Sequence, residues 1–216
     1  MKVSIIIPIK NEPYIHELIK RIHKELKGYN YEIIVIDKSD VTPRITNAKL
    51  VKQMSRGLGK AVLEGLVYAE GDVVVLMDGD GSHRPEDVSK LLKKINGYDI
   101  VIGSRFVPGG KTKDKTHRRI ISWVYRKFAS FVLGLDVKDS MSGFSVVKRE
   151  VYDNLNLNPL GYKINTEILF KGKKAGYKIC EVPIVFEERK YGRSKAGVKE
   201  GFRILRYVLE LKLGLR

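Results

Sequence analysis

The chain opens on a nearly unbroken apolar run, residues 3–9, which predicts a buried strand. From Glu12 the period changes. Ile15, Leu18, Ile19, Ile22 and Leu26 recur at helical spacing, and Gly28 ends the segment. Residues 32–37 form a second apolar run with Asp37 at its end, so a strand, a helix and a strand follow one another, the seed of a parallel sheet. The pattern then repeats less regularly. A short strand is expected over 49–54, a turn at Arg56-Gly57-Leu58-Gly59 and a helix over 60–68. The strongly apolar run 73–77 ends at Asp78-Gly79-Asp80-Gly81. Pro85 suits the first turn of a helix carrying Val88, Leu91, Leu92 and Ile95, and a strand over 98–102 leads to Gly103-Ser104-Arg105.

After Phe106 the texture changes. Pro108-Gly109-Gly110, followed by Lys111, Lys113 and Lys115, predicts a mobile basic loop. Beyond it we expect a helix over 120–133, a strand over 141–147, a helix over 165–174 and a strand over 177–186. A polar loop over 189–194 precedes a last helix over 196–213. In that helix Phe202, Leu205, Leu209 and Leu213 recur among Lys199, Arg203, Arg206 and Lys212, a pattern that suits both an interfacial helix and one packed on the sheet. Tyr207 and Val208 read as packing residues. No internal repeat or low-complexity linker interrupts the chain. Strands alternating with helices predict an α/β fold with a mostly parallel, doubly wound sheet, whose ligands bind at the carboxyl ends of the strands. With 216 residues and 43% hydrophobic content, a single domain is expected over 1–216, its halves 1–104 and 105–216.

Charge narrows the partners. A net charge of +16 favours anions: nucleic acid, anionic headgroups or phosphorylated small molecules, with solubility as the plainer reading. Cys180 is the single cysteine, so no internal disulfide forms, and its apolar setting reads as burial rather than reactivity. His16, His23, His83 and His117 lack zinc-ligand spacing. No apolar stretch approaches the ~20 residues of a membrane-spanning helix. The expectation is a cytoplasmic protein, soluble or peripheral.

The acids gather at predicted strand ends: Glu12, Asp37, Asp78 and Asp80. Asp78 and Asp80, separated by one glycine, suit a hard cation such as Mg²⁺ or Mn²⁺, which takes one or two carboxylates and completes its shell with phosphate oxygens. Glu12 also suits a helix cap. Between Gly103 and Lys127 stand eight Lys or Arg residues against one acid, Asp114. Arginine's planar fork matches phosphate, although a solvated basic loop has the same composition. A carboxylate crevice beside these cations repels a nucleic acid backbone, so no nucleic-acid partner is expected.

The strings IIIPIKNE (5–12), IVIDKS (34–39), RGLGKA (56–61), VVVLMDGDGSHRPED (73–87), IGSRFVPGG (102–110), RRIIS (118–122), DSMSGFSVVKRE (139–150) and EVPIVFEERKYGRSK (181–195) occur in this order. Through them the chain resembles the inverting glycosyltransferases of family 2, of GT-A fold, and particularly their polyprenyl-phosphate (dolichol-phosphate) mannose or glucose synthase branch. The resemblance implies that Pro8, Glu12 and Asp37 hold the nucleoside, and that Asp78, Asp80 and Ser82 engage the metal and diphosphate. Arg189, Ser194 and Lys195 would close over the donor phosphates, and Arg105, Arg118 and Ser122 would hold an acceptor phosphate. Asp80, Arg105 and Arg118 would carry catalysis. Two positions depart from the family pattern: Ser82 replaces a glutamine and Lys38 replaces a second acid, with Asp40 nearby. The implied reaction moves a hexose to a polyprenyl or dolichyl phosphate with inversion, at the cytoplasmic face of a membrane. GDP-mannose is the first choice of donor, UDP-glucose the alternative, and a soluble or polysaccharide acceptor the alternative to the lipid.

Overall fold

The first apolar run forms β1 (Lys2–Ile9), an interior strand of a sheet. On one side it pairs in parallel with β2 (Asn30–Asp37), which pairs in turn with β3 (Lys49–Lys52). On the other side it pairs in parallel with β4 (Val73–Leu76). The computed structural model describes residues 1–113, 116–161, 163–190 and 198–215, without the side chains of 117, 118 and 198–200.

Period-2 alternation sends successive β1 side chains to opposite faces. Ile6 joins Ile34, Ile36, Val74 and Leu76 on one face, while Ile5 and Ile7 join Val35, Val75 and Met77 on the other. Both faces are covered, which is why these strands are apolar throughout. Helices α1 (Ile15–Glu25) and α3 (Pro85–Lys94) cover the second face through Leu18, Ile22, Val88 and Leu91. Helix α2 (Leu58–Val67) lies on the first face with α4 (Thr116–Leu133), the short α5 (Arg149–Asn154), α6 (Ile164–Lys174) and α7 (Val198–Lys212). The sheet is therefore doubly wound and mostly parallel, as the alternation of elements implied.

One strand breaks the parallel order. β5 (Ile100–Ser104) does not pair with β4. Instead β7 (Ser145–Lys148) lies between them, antiparallel to both, and β8 (Ile179–Pro183) adds in parallel at the far edge of β5. A strand from the second half of the chain thus sits among strands from the first.

Two expected segments are corrected. The basic loop after Gly110 contains β6 (Lys111–Thr112), paired in parallel with β9 (Val185–Phe186) in a small second sheet. The run 177–186 is accordingly two strands, β8 and β9, rather than one. Cys180 lies in β8 opposite Val101 and is only half-buried, with burial raising its thiol pKa.

The last helix packs on the core with one face and leaves another exposed. Ile204, Tyr207, Val208 and Leu211 are buried against the core, and α7 packs on α4. Phe202, Leu209 and Leu213, from the stripe noted in the sequence, point outward at 47–71% exposure. On α4, Ile120, Trp123, Val124 and Phe131 are also exposed. Among the described residues no helix is long and apolar enough to cross a membrane.

Candidate active site

The turn after β4 carries the acid pair. Gly81 adopts φ +79°, the left-handed region that favours glycine, and this bends the chain sharply behind Asp80. Asp80 is 5% exposed. Its Oδ1 accepts hydrogen bonds from Ser82 N at 3.0 Å and from Ser82 Oγ at 2.5 Å. Its Oδ2 lies 3.0 Å from Arg189 Nε. Ser82, expected among the metal ligands, is wholly buried here and donates its hydroxyl to Asp80. The segment after β9 runs along this turn: Glu187 N donates to Ser82 O and Lys190 N to Asp80 O.

Asp78 is held differently. Its main-chain N–H donates to His83 Nδ1 at 2.9 Å, which leaves the ring proton of the neutral imidazole on Nε2, 3.9 Å from Asp78 Oδ2. The imidazole stacks on Phe144 at 4.9 Å and meets the edge of Phe186 at 5.5 Å. Burial lowers the His83 pKa, against the pull of Asp78 and Asp80. Burial also raises the Asp78 carboxyl above the ordinary carboxylate range, opposed by His83 and reinforced by Asp80. Gly143 leaves room beside this carboxylate, since a Cβ there would lie 3.3 Å from His83 Cε1 and 3.4 Å from Asp78 Oδ2.

The pair fits a divalent cation by its chemistry. Two hard oxygen donors sit close enough to disfavour each other's charge, and an ion of opposite sign relieves that. Among the described residues no group of three or more His, Cys, Asp or Glu side chains forms a cage. An ion held by Asp78 and Asp80 would take its remaining ligands from phosphate and water.

The cationic side begins at Arg105, at the end of β5. Its Nε and Nη2 each donate to Asp139 at 2.8 Å, and its main-chain N–H reaches the same carboxylate at 3.0 Å. Asp139 is wholly buried, and its own segment is tied down by Glu181, which accepts from the N–H groups of Lys138 and Asp139. The Arg105 guanidinium lies 5.1 Å from the rings of both Phe106 and Phe186, and Arg126 stacks on Phe106 at 3.9 Å. Arg105, Lys111, Thr112, Lys113 and Arg119 line one open pocket. Arg105, expected to hold an acceptor phosphate, has one edge engaged by Asp139 and lines the pocket together with Arg119.

The remaining expected residues divide. Pro8 is buried in β1 opposite Ile36. Asp37 is 1% exposed, and its Oδ1 accepts from Ser39 N. Asn11 and Asp40 exchange hydrogen bonds across the β1 and β2 loops at 2.7 and 3.0 Å, so Asp40 is engaged within this wall. Lys38 turns away to Gln53 O. Glu12 is half-buried, and its main-chain carbonyl accepts from Ile15 N at the start of α1. Ser122 is half-buried on α4. Ser194 and Lys195, and the side chain of Arg118, lie outside the described residues. His83, Asp139 and Phe186 entered the site without having been singled out. The sequence held one signal for His83, its place directly after Asp78-Gly79-Asp80-Gly81-Ser82.

Residues 4–155 match the profile of the family described as Glycosyl transferase family 2. The chain is 41% identical to a dolichol-phosphate mannosyltransferase of Pyrococcus furiosus, over 98% of this chain and 64% of that one. It is 38% identical to an undecaprenyl-phosphate mannosyltransferase of Micrococcus luteus, over 64% of this chain and 60% of the relative. Matching 64% and 60% of these relatives, the chain spans less than two thirds of their length. Its fold is that of glucosyl-3-phosphoglycerate synthase of Mycobacterium tuberculosis, solved with Mn²⁺, uridine diphosphate and phosphoglyceric acid: TM-score 0.76, 23% identity, 99% of this chain and 78% of that one covered.

Proposed function

The chain belongs to glycosyl transferase family 2, and from that premise we propose that it transfers mannose from GDP-mannose to a polyprenyl or dolichyl phosphate with inversion. One observation carries this reading. The acid turn and the basic pocket are joined through Phe186, whose ring meets His83 at 5.5 Å and lies 5.1 Å from the Arg105 guanidinium at the pocket's edge. A nucleotide-sugar needs the first, where Asp78 and Asp80 would hold a divalent cation that offsets the charge of its diphosphate. A phosphate nucleophile needs the second. The relatives named as mannosyltransferases of dolichol and undecaprenyl phosphate supply the sugar and the lipid class.

In this reading Asp37 and the Asn11–Asp40 wall hold the nucleoside. When bound, Mg²⁺ or Mn²⁺ offsets charge on the departing diphosphate. Arg189 stands beside Asp80 to take the same charge, together with Ser194 and Lys195. The acceptor phosphate is steered by Arg105, Arg118 and Arg119, with Ser122 nearby on α4. One of its oxygens attacks the anomeric carbon from the face opposite the diphosphate, the bond to the diphosphate breaks, and inversion follows. A monoester phosphate with a second pKa near ~6 is already largely dianionic at neutral pH. No general base is required, and the chain's task is positioning and electrostatics.

The acceptor lies in a bilayer, so the protein works at a membrane surface, at its cytoplasmic face. The outward residues of α4 and α7, among them Trp123, Phe131, Phe202 and Leu213, support this, with Lys127 and Arg203 exposed on the same helices.

The test is a transfer assay with radiolabelled GDP-mannose and Mn²⁺, offering a polyprenyl phosphate, the free polyprenol and a water-soluble phosphate in parallel. Transfer to the lipid phosphate alone is expected. Equal transfer to the free alcohol, or turnover with UDP-glucose in place of GDP-mannose, overturns the corresponding part.

A further inference from the structure

Both carboxylate oxygens of Asp80 are engaged. Ser82 holds Oδ1 through its N–H and its hydroxyl. Arg189 Nε holds Oδ2 at 3.0 Å, with the Asp80 side chain 6% exposed and that of Arg189 37% exposed. The main chain on either side of Arg189 is fastened to the same turn, Glu187 N to Ser82 O at 2.9 Å and Lys190 N to Asp80 O at 3.1 Å. The guanidinium therefore takes the carboxylate oxygen that Ser82 leaves, the oxygen a cation on Asp80 would use.

We infer that Arg189 is a built-in stand-in for the cation: it fills the metal position on Asp80 in the free protein and gives that position up to an ion arriving with a nucleoside diphosphate. This rests on the reading above that Asp80 is a metal ligand. A guanidinium and a divalent ion cannot share one carboxylate oxygen without repelling each other, so one displaces the other. Displacement alone strands the arginine. A diphosphate removes that cost, because its oxygens accept a charge-assisted fork at least as well as a carboxylate does. Metal and nucleotide then bind with positive coupling, and linkage makes the coupling factor equal in both directions. The short tether at Glu187 and Lys190 keeps the released guanidinium beside the turn, where the diphosphate lies.

Calorimetric titration of Mn²⁺ into the whole chain, first alone and then with GDP present, tests the inference. Arg189→Gln removes the competitor, and Mn²⁺ alone is expected to bind it roughly tenfold more tightly than the wild type, the scale of one charge-assisted hydrogen bond. GDP is expected to strengthen Mn²⁺ binding more in the wild type than in Arg189→Gln. Lys190→Gln removes an equal charge one residue along and preserves its main-chain bond to Asp80, so it reports the general effect of lost positive charge. The inference falls if Arg189→Gln binds Mn²⁺ no more tightly than the wild type. It falls also if Lys190→Gln gains as much, or if GDP strengthens both proteins by the same factor. Asp80→Asn separates the premise: wild-type Mn²⁺ affinity in that variant overturns the metal assignment itself.

Discussion

Arg105 meets Asp139 through two parallel hydrogen bonds, Nε to Oδ2 and Nη2 to Oδ1, each 2.8 Å long, at a carboxylate with no solvent exposure. Removing either partner leaves a charge in a setting built for a pair. Asp139→Ala is expected to destabilise the protein by about 3–5 kcal/mol, the usual cost of breaking a buried ion pair from one side. Urea denaturation reads this directly, and a loss under about 1 kcal/mol would make the pair incidental. Arg105→Ala is expected to weaken acceptor use more than donor binding, and to lower stability as well. Its kinetics are therefore measured well below its own unfolding midpoint.

Asp80→Asn exchanges a carboxylate for a near-isostere whose carbonyl still accepts from Ser82. Its amide nitrogen cannot accept from Arg189, so stability is expected to fall by about 1–3 kcal/mol, while metal-dependent transfer disappears. Turnover that persists at the wild-type rate and is still abolished by EDTA would place the cation elsewhere.

Asp78 yields a pH-dependent prediction. Burial raises its pKa in the folded state, so the folded chain holds that proton more tightly than the unfolded chain does. The stability this contributes is fully present below the ordinary carboxylate pKa and is lost as pH rises through the raised value. At neutral pH, without metal, the charged form is a liability, and Asp78→Asn is expected to be more stable than the wild type. The advantage should vanish in acid, where both side chains are neutral, and Mn²⁺ should stabilise only the wild type. Thermal melts at acid and neutral pH decide it. An Asn variant less stable than the wild type at neutral pH would show the carboxylate to be well paired.

Phe131 is 88% exposed on α4 and Phe202 68% exposed on α7. Burying a phenyl ring in lipid gains about 1.5–3 kcal/mol, and each well-placed cation facing an anionic leaflet about 1 kcal/mol more. The wild type is expected to sediment with anionic vesicles at low salt and to be released as salt rises. Phe131→Ser with Phe202→Ser should weaken binding at least roughly tenfold without loss of fold. Unchanged sedimentation of the double variant would leave charge alone as the attraction.

What could be read from the sequence was local. The runs that became β1, β2 and β4 announced themselves because buried parallel strands are apolar on both faces, and α1 did so through an unbroken spacing from Ile15 to Ile22. The acid turn was legible because Asp78 and Asp80 directly follow such a run. Partnership at long range was not. Asp139 is a short acid in a Ser-rich stretch, and nothing in its neighbours reveals that Arg105, distant in the chain, points at it. His83 was set aside for lacking ligand spacing, yet its work is to accept one N–H and pack between two rings. On α7 the outward stripe and the packing of Tyr207 and Val208 were visible, whereas Ile204 and Leu211 have the same periodicity and differ only in what covers them. Strand 145–148 was foreseen as a strand near 141–147, but its direction and neighbours depend on a gap that only the folded sheet contains.

That gap has a consequence for the order in which the protein is made. A ribosome releases β4 and β5 before it has translated β7, the strand that joins them. Until Lys148 emerges, the edge of β4 has no partner on that side, and the nascent chain carries open hydrogen-bonding groups of the kind that invite mispairing. The loop that ends in β7 also delivers Gly143 to Asp78 and Phe144 to His83. Joining β4 to β5 and packing His83 on Phe144 thus wait for the same segment, and Phe186 and Arg189 follow it later still. During synthesis the acid turn waits, already translated, for a strand that arrives more than sixty residues after it.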